Sequence, residues 1–172
     1  MSRFGKGKIL NKLLELGPIF LLYISVLNEF DFNYLQLTYF SFNFPFILIF
    51  YWSLKKPEHL GYGLIFFAGI INDVVQNFPI GISSINYLLL CAIAAFIRSR
   101  MVLPNLFYDW ILFLIAILII SSVNYTTLTM IFEIPIEYGV LMSNSILTFL
   151  IYPVISKIFN ENILLIMRSE DD

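Results

Sequence analysis

The sequence predicts an all-α integral membrane protein, a single domain over residues 1–172 that forms a six-helix bundle with both termini in the cytoplasm. Three observations carry this. Of the 172 residues 59% are hydrophobic and only 13% charged, about half the charge of a soluble domain, so lipid must take the place of water around most of the chain. Six apolar stretches are separated by short polar breaks. All ten Lys and Arg fall at one set of ends of those stretches, the pattern expected when basic segments stay in the cytoplasm.

The spans follow in order. A basic start (Arg3, Lys6, Lys8, Lys12) precedes the first, at about 13–27. No small-residue cleavage pattern follows its apolar core, so it reads as an uncleaved anchor. Its amphipathic beginning is expected to lie along the anionic inner leaflet before turning in. The second span, about 34–54, runs through FPFILIFYW into Lys55 and Lys56. The third covers about 60–76 and the fourth about 84–98, ending at Arg98 and Arg100. The fifth, about 105–132, follows Pro104, placed well for a first turn. The sixth covers about 138–159, where Pro153 is expected to introduce a bend. The first, third and fifth loops hold only acids: Glu29, Asp31, Glu133 and Glu137. Tyr51, Trp52, Phe107, Tyr108 and Trp110 fall where an aromatic belt would mark the cytoplasmic interface.

One acid breaks the apolar pattern. In a helical third span Gly69, Asn72, Asp73 and Gln76 fall at i, i+3, i+4 and i+7, hence on one face. Glycine admits close approach of another helix, and amides bond across such contacts. A carboxylate near bilayer depth costs several kcal/mol unless it faces protein or water. Pro79-Ile80-Gly81 then turns the chain, since proline lacks a donor and glycine permits positive φ. Ser83, Ser84 and Asn86 are candidates to cap the fourth helix or bond Asp73. Three readings stay open: Asp73 pins a helix end, its face docks a partner helix, or it serves a proton relay. The third lacks companions, because the other spans are read as free of ionisable groups. Small polar residues of the fifth span (Ser121, Ser122, Asn124, Thr126, Thr127) and sixth (Ser143, Asn144, Ser145, Thr148) are expected to gather with Asn72 and Asp73 in an outward polar cluster.

Several chemistries find no support. The sequence has no Ser–His–Asp set, zinc-protease helix, phosphate-binding loop or dinucleotide fingerprint. No cofactor or metal is expected, and the chain reads as non-enzymatic. Cys91 is alone in an apolar run and reads as packing. Basic residues are too dispersed for a nucleic-acid footprint.

The run GYGLIFFAGIINDVVQNFPIGISSINYLLLCAIAAFI, residues 61–97, resembles the signature region of the MreD family, the rod shape-determining membrane proteins of bacteria. The resemblance rests on a glycine-rich third span, Gly69 four residues before Asp73, and the Pro79-Ile80-Gly81 step. The six-span count, the length, the basic loop after Tyr51-Trp52 and Pro153 look similar along the whole chain. Asn77-Phe78 departs from the small residues more usual in that turn. The resemblance implies a scaffold of the cell-wall elongation complex in the inner membrane, which maintains cell shape and supports peptidoglycan synthesis. Its partners would be MreC, directly, with MreB, RodA and RodA's transpeptidase partner in the same assembly. Gly69, Asn72, Asp73, Gln76, Pro79, Gly81 and Asn86 would form the partner-binding or structural polar face. The family is also similar in architecture to the substrate-binding S components of energy-coupling-factor transporters, so a small-molecule-binding subunit of a vitamin-type transporter is the alternative.

Overall fold

The computed structural model describes residues 16–27, 41–100, 105–135 and 137–170, with the side chains of 59 and 162–170 outside that description. The basic N-terminal segment, the first loop and residues 34–40 of the expected second span therefore lie outside the described residues. The described residues form six α-helices: α1 (Leu16–Leu27), α2 (Phe44–Lys55), α3 (Tyr62–Val75), α4 (Ile82–Arg100), α5 (Leu106–Thr126, continued by a π-helical turn over Thr127–Ile131) and α6 (Tyr138–Glu170). The described residues contain no strand. Three helices, α4, α5 and α6, are long and apolar enough to cross a membrane, while α1, α2 and α3 are shorter apolar helices.

The shortness of α2 has a local cause. Asn43 accepts a hydrogen bond from the amide of Phe46 at 3.2 Å, and Pro45 occupies the first turn. A side-chain cap followed by a residue without a donor starts a helix there, not at residue 34. Twelve residues rise about 18 Å, well below the roughly 30 Å of a hydrocarbon core. Nearly every side chain from Ile47 to Leu54 is buried, so α2 is the central post of the bundle. It is apolar on all sides because protein surrounds it on all sides.

Aromatic rings fill the space around α2. Phe50 lies 5.0 Å from Phe113 of α5, and Phe113 stacks on Tyr152 of α6 at 4.2 Å. Phe46 meets Tyr87 of α4 edge-on at 5.8 Å. Tyr51 and Trp52 pack against Phe159, 5.3 and 6.1 Å away, so they are core residues, whereas Phe107 and Tyr108 are exposed as an interfacial belt requires. Lipid offers these rings no hydrophobic incentive to associate; shape-matched contact does, with about 0.5–1.5 kcal/mol for each well-placed aromatic pair. The outward faces carry many large apolar side chains to the surface, among them Phe67, Ile85, Phe96, Leu118, Leu150 and Val154, as suits helices that face lipid.

Helix α6 runs on through Pro153. Proline has no amide hydrogen, so the carbonyl of Phe149, one turn earlier, loses its helical donor. The indole N–H of Trp110 on α5 takes that role at 2.9 Å, and its ring stacks on Phe149 at 4.8 Å. The same residue thus fills the gap in α6 and fastens α5 to it. Cys91 is buried and accepts a hydrogen bond from the Ser53 hydroxyl at 3.4 Å.

Candidate functional site

The α3–α4 hairpin gathers most of the residues singled out from the sequence. Gly69 faces Ser84 so closely that an added Cβ would collide with the Ser84 backbone. Above it, Asn72 donates to the Ser83 hydroxyl at 2.9 Å, and the Ser84 hydroxyl donates to the carbonyl of Phe66 at 2.9 Å. Asp73 is fully buried. Its Oδ2 accepts from the amide of Gly81 at 2.7 Å and its Oδ1 from the amide of Ser83 at 2.9 Å. Those amides are at the start of α4, where backbone donors lack helical partners and the helix dipole favours a negative charge. A carboxylate on one helix therefore caps the next.

The turn between them explains the odd residues in it. Asn77 has φ of 55°, and the amides of Asn77 and Phe78 return to the carbonyls of Val74 and Asp73. This double closure is the Schellman ending of a helix, whose left-handed position admits Asn as well as Gly. Pro79 follows, its carbonyl accepting from Ile82, and Gly81 has φ of +109°, a conformation L side chains rarely adopt.

Around the same end lies a cavity of about 530 Å³, bounded by the ends of α1, α2, α3, α5 and α6. Asn72, Gln76, Asn124 and Asn144 contribute amides to its wall, and Ser121 and Ser145 contribute hydroxyls. Neighbouring bonds tie the wall together: Ser121 to Ser145 at 2.9 Å, Asn86 to Asn124 at 3.0 Å, Asn144 to Ser41 at 3.0 Å, and the Asn43 amide to Thr148 at 2.8 Å. The outward cluster expected from the sequence thus assembles in part. Asp73 is turned away to α4 and is not among the described lining residues, and Ser122 lines a smaller recess of about 150 Å³ between α5 and α6. Ser143 bonds back within its own helix, to the carbonyl of Gly139.

The opposite end holds what the sequence reading missed. Asp109, on the first turn of α5, is 2% exposed, and its Oδ2 lies 2.6 Å from the ammonium of Lys55 at the end of α2. The other spans are therefore not free of ionisable groups, and Asp73 is not the only buried acid. Asp109 Oδ1 and the hydroxyls of Tyr51 and Tyr152 are buried without a hydrogen-bond partner among the described residues. Arg98 reaches the carbonyl of Ser53 at 3.4 Å, where a cation suits the C-terminal end of α2. An acid inside a span, with a lysine closing the antiparallel neighbour, was the available signal.

Among the described residues no three His, Cys, Asp or Glu side chains come together as metal ligands do. The two acids are bound to partners at opposite ends of the bundle, and among the described residues no hydrogen bond or ion pair links one to the other. No protein-family profile, curated protein or solved structure matches the chain.

Proposed function

We propose that the chain is a six-span bacterial inner-membrane protein, both termini cytoplasmic, that serves without catalysis in the cell-wall elongation complex, in the manner of the MreD proteins it resembles. The observation that carries this reading is the unity of the resembling residues. Gly69 makes room for the start of α4, Asp73 caps that helix, and Gly81 adopts the backbone turn that brings its amide to the carboxylate. The spacing on which the resemblance rests is thus one folded device. Sidedness follows from charge: Lys55, Lys56, Arg98 and Arg100 mark the cytoplasmic end, and Glu133 and Glu137 the outer one.

Since Gly69 and Asp73 are buried against α4, their part is to hold a hairpin whose tip meets a partner, MreC by the resemblance. Ile80 at that tip is 74% exposed, a large apolar side chain presented outward by the turn. Co-purification tests the reading. Wild-type chain should retain MreC, and Ile80→Asp, which disturbs no buried contact, should release it. Wild-type chain that retains neither MreC nor RodA, in cells that stay rod-shaped after its depletion, would refute the proposal.

A second reading, a small-molecule-binding subunit of a vitamin-type transporter, is favoured by the cavity alone. It requires a bound solute and a coupled ATPase module, and recovery of such a module with the tagged chain separates it from the first.

A further inference from the structure

We infer that the cavity at the Asn77 end of the bundle is a binding site for an uncharged molecule or lipid headgroup carrying hydroxyl or amide groups. This rests on the reading of the cavity as a ligand site and adds the chemistry of the occupant. At about 530 Å³ it falls within the roughly 300–1,000 Å³ of small-molecule sites. Its described wall contains no Asp, Glu, Lys, Arg or His. A charged ligand entering it would shed hydration and meet no counter-charge on the described wall, a transfer that costs far more than moving a neutral polar group that finds hydrogen bonds.

What the wall does offer is matched donors and acceptors. Each Asn or Gln presents an NH₂ that donates and a carbonyl that accepts. Those of Gln76 and Asn77 have no side-chain hydrogen bond among the described residues, while Asn124 is held by Asn86, and Asn144 by Ser41 and by the Thr148 hydroxyl, which donates to its side-chain carbonyl at 3.5 Å; both keep further bonding capacity. Hydroxyls and amides also both donate and accept, so they can use such a wall fully. Phe42, Phe46 and Phe78 add apolar surface, which suits a ligand with one polar and one apolar side. The shared group can come from a free solute or from a neutral lipid headgroup.

The test uses the full chain in nanodiscs of native lipid, with Val140→Phe as a cavity-filling variant, since Val140 lines the site; its melting temperature and elution profile establish that it folds. Bound molecules are extracted from both and identified by mass spectrometry, and melting shifts are measured with methyl glucoside and nicotinamide against their charged counterparts glucuronate and nicotinate. The expected result is a neutral hydroxyl- or amide-bearing species on wild type, reduced about tenfold or more by the filler, with shifts only from the uncharged probes. Partition of the species into water or organic solvent tells a solute from a lipid. Enrichment of a charged species, or equal shifts from the charged probes, overturns neutrality while leaving the site in place. No species enriched and no probe shifting the melt overturns the site itself.

Discussion

The two ends of this bundle each bury one carboxylate, and they neutralise it in different ways. At the α3–α4 hairpin, Asp73 meets two backbone amides, one on each oxygen, and is fully satisfied. At the other end, Asp109 meets the ammonium of Lys55 through one oxygen only. The first arrangement uses the unpaired donors that every helix start possesses. The second depends on another side chain that must itself be drawn from water, so its net benefit is small even though its rupture is costly. The hairpin is therefore locked by backbone and the basic end by a replaceable pair of side chains.

That contrast can be broken deliberately. Lys55→Met leaves Asp109 buried without its counter-charge, and the expected loss is about 3 kcal/mol, read as a fall in unfolding midpoint in detergent. The double variant Lys55→Met with Asp109→Leu should recover most of it, and a double variant as unstable as the single one would show that the pair is more than local neutralisation. Asp73→Leu should cost about 2–3 kcal/mol by stranding the Gly81 and Ser83 amides, and Asp73→Asn about half as much, since one acceptor survives. No second-site side-chain change should rescue Asp73→Leu, because its partners are main chain; an efficient single-residue suppressor in an unfolding screen would contradict this.

Gly69→Ala is expected to cost about 2 kcal/mol by overpacking the Ser84 backbone. Gly63→Ala, where an added Cβ touches nothing, should be neutral or gain about 0.5–1 kcal/mol from helix propensity. Equal effects at the two glycines would remove the close-approach argument. The smallest expected effect is Trp110→Phe, about 1 kcal/mol, from loss of the bond to the Phe149 carbonyl that Pro153 leaves open; amide exchange in α6 around that carbonyl should rise with it.

Periodicity made the hairpin legible. Counting by 3.6 residues set Gly69, Asn72 and Asp73 on one side of α3, and that side packs on α4. Asn43 and Pro45 were an equally plain start signal for α2, masked by the apolar residues upstream that lengthened the expected span. Asp109 was hidden for another reason. In Phe107-Tyr108-Asp109-Trp110 it looks like an ordinary acid on the first turn of a helix at the interface, and its partner is 54 positions away in α2. Contacts between antiparallel helices depend on how far each is raised along the membrane normal, which no spacing within one segment records. The cavity was legible in part, as the polar cluster of Asn72, Ser121, Asn124, Asn144 and Ser145; its bounding by five helix ends was not, because small polar residues seen one segment at a time also suit plain helix packing. The six-span threading goes further than the three helices whose length alone suffices to cross a membrane.

The Trp110 indole has a practical consequence. The chain contains only two tryptophans, and this one is hydrogen-bonded and stacked across the seam between α5 and α6. Its emission should shift to longer wavelength if those two helices part, whether through a partner wedging between them or a solute prising the bundle open, so the protein carries its own optical gauge of that seam.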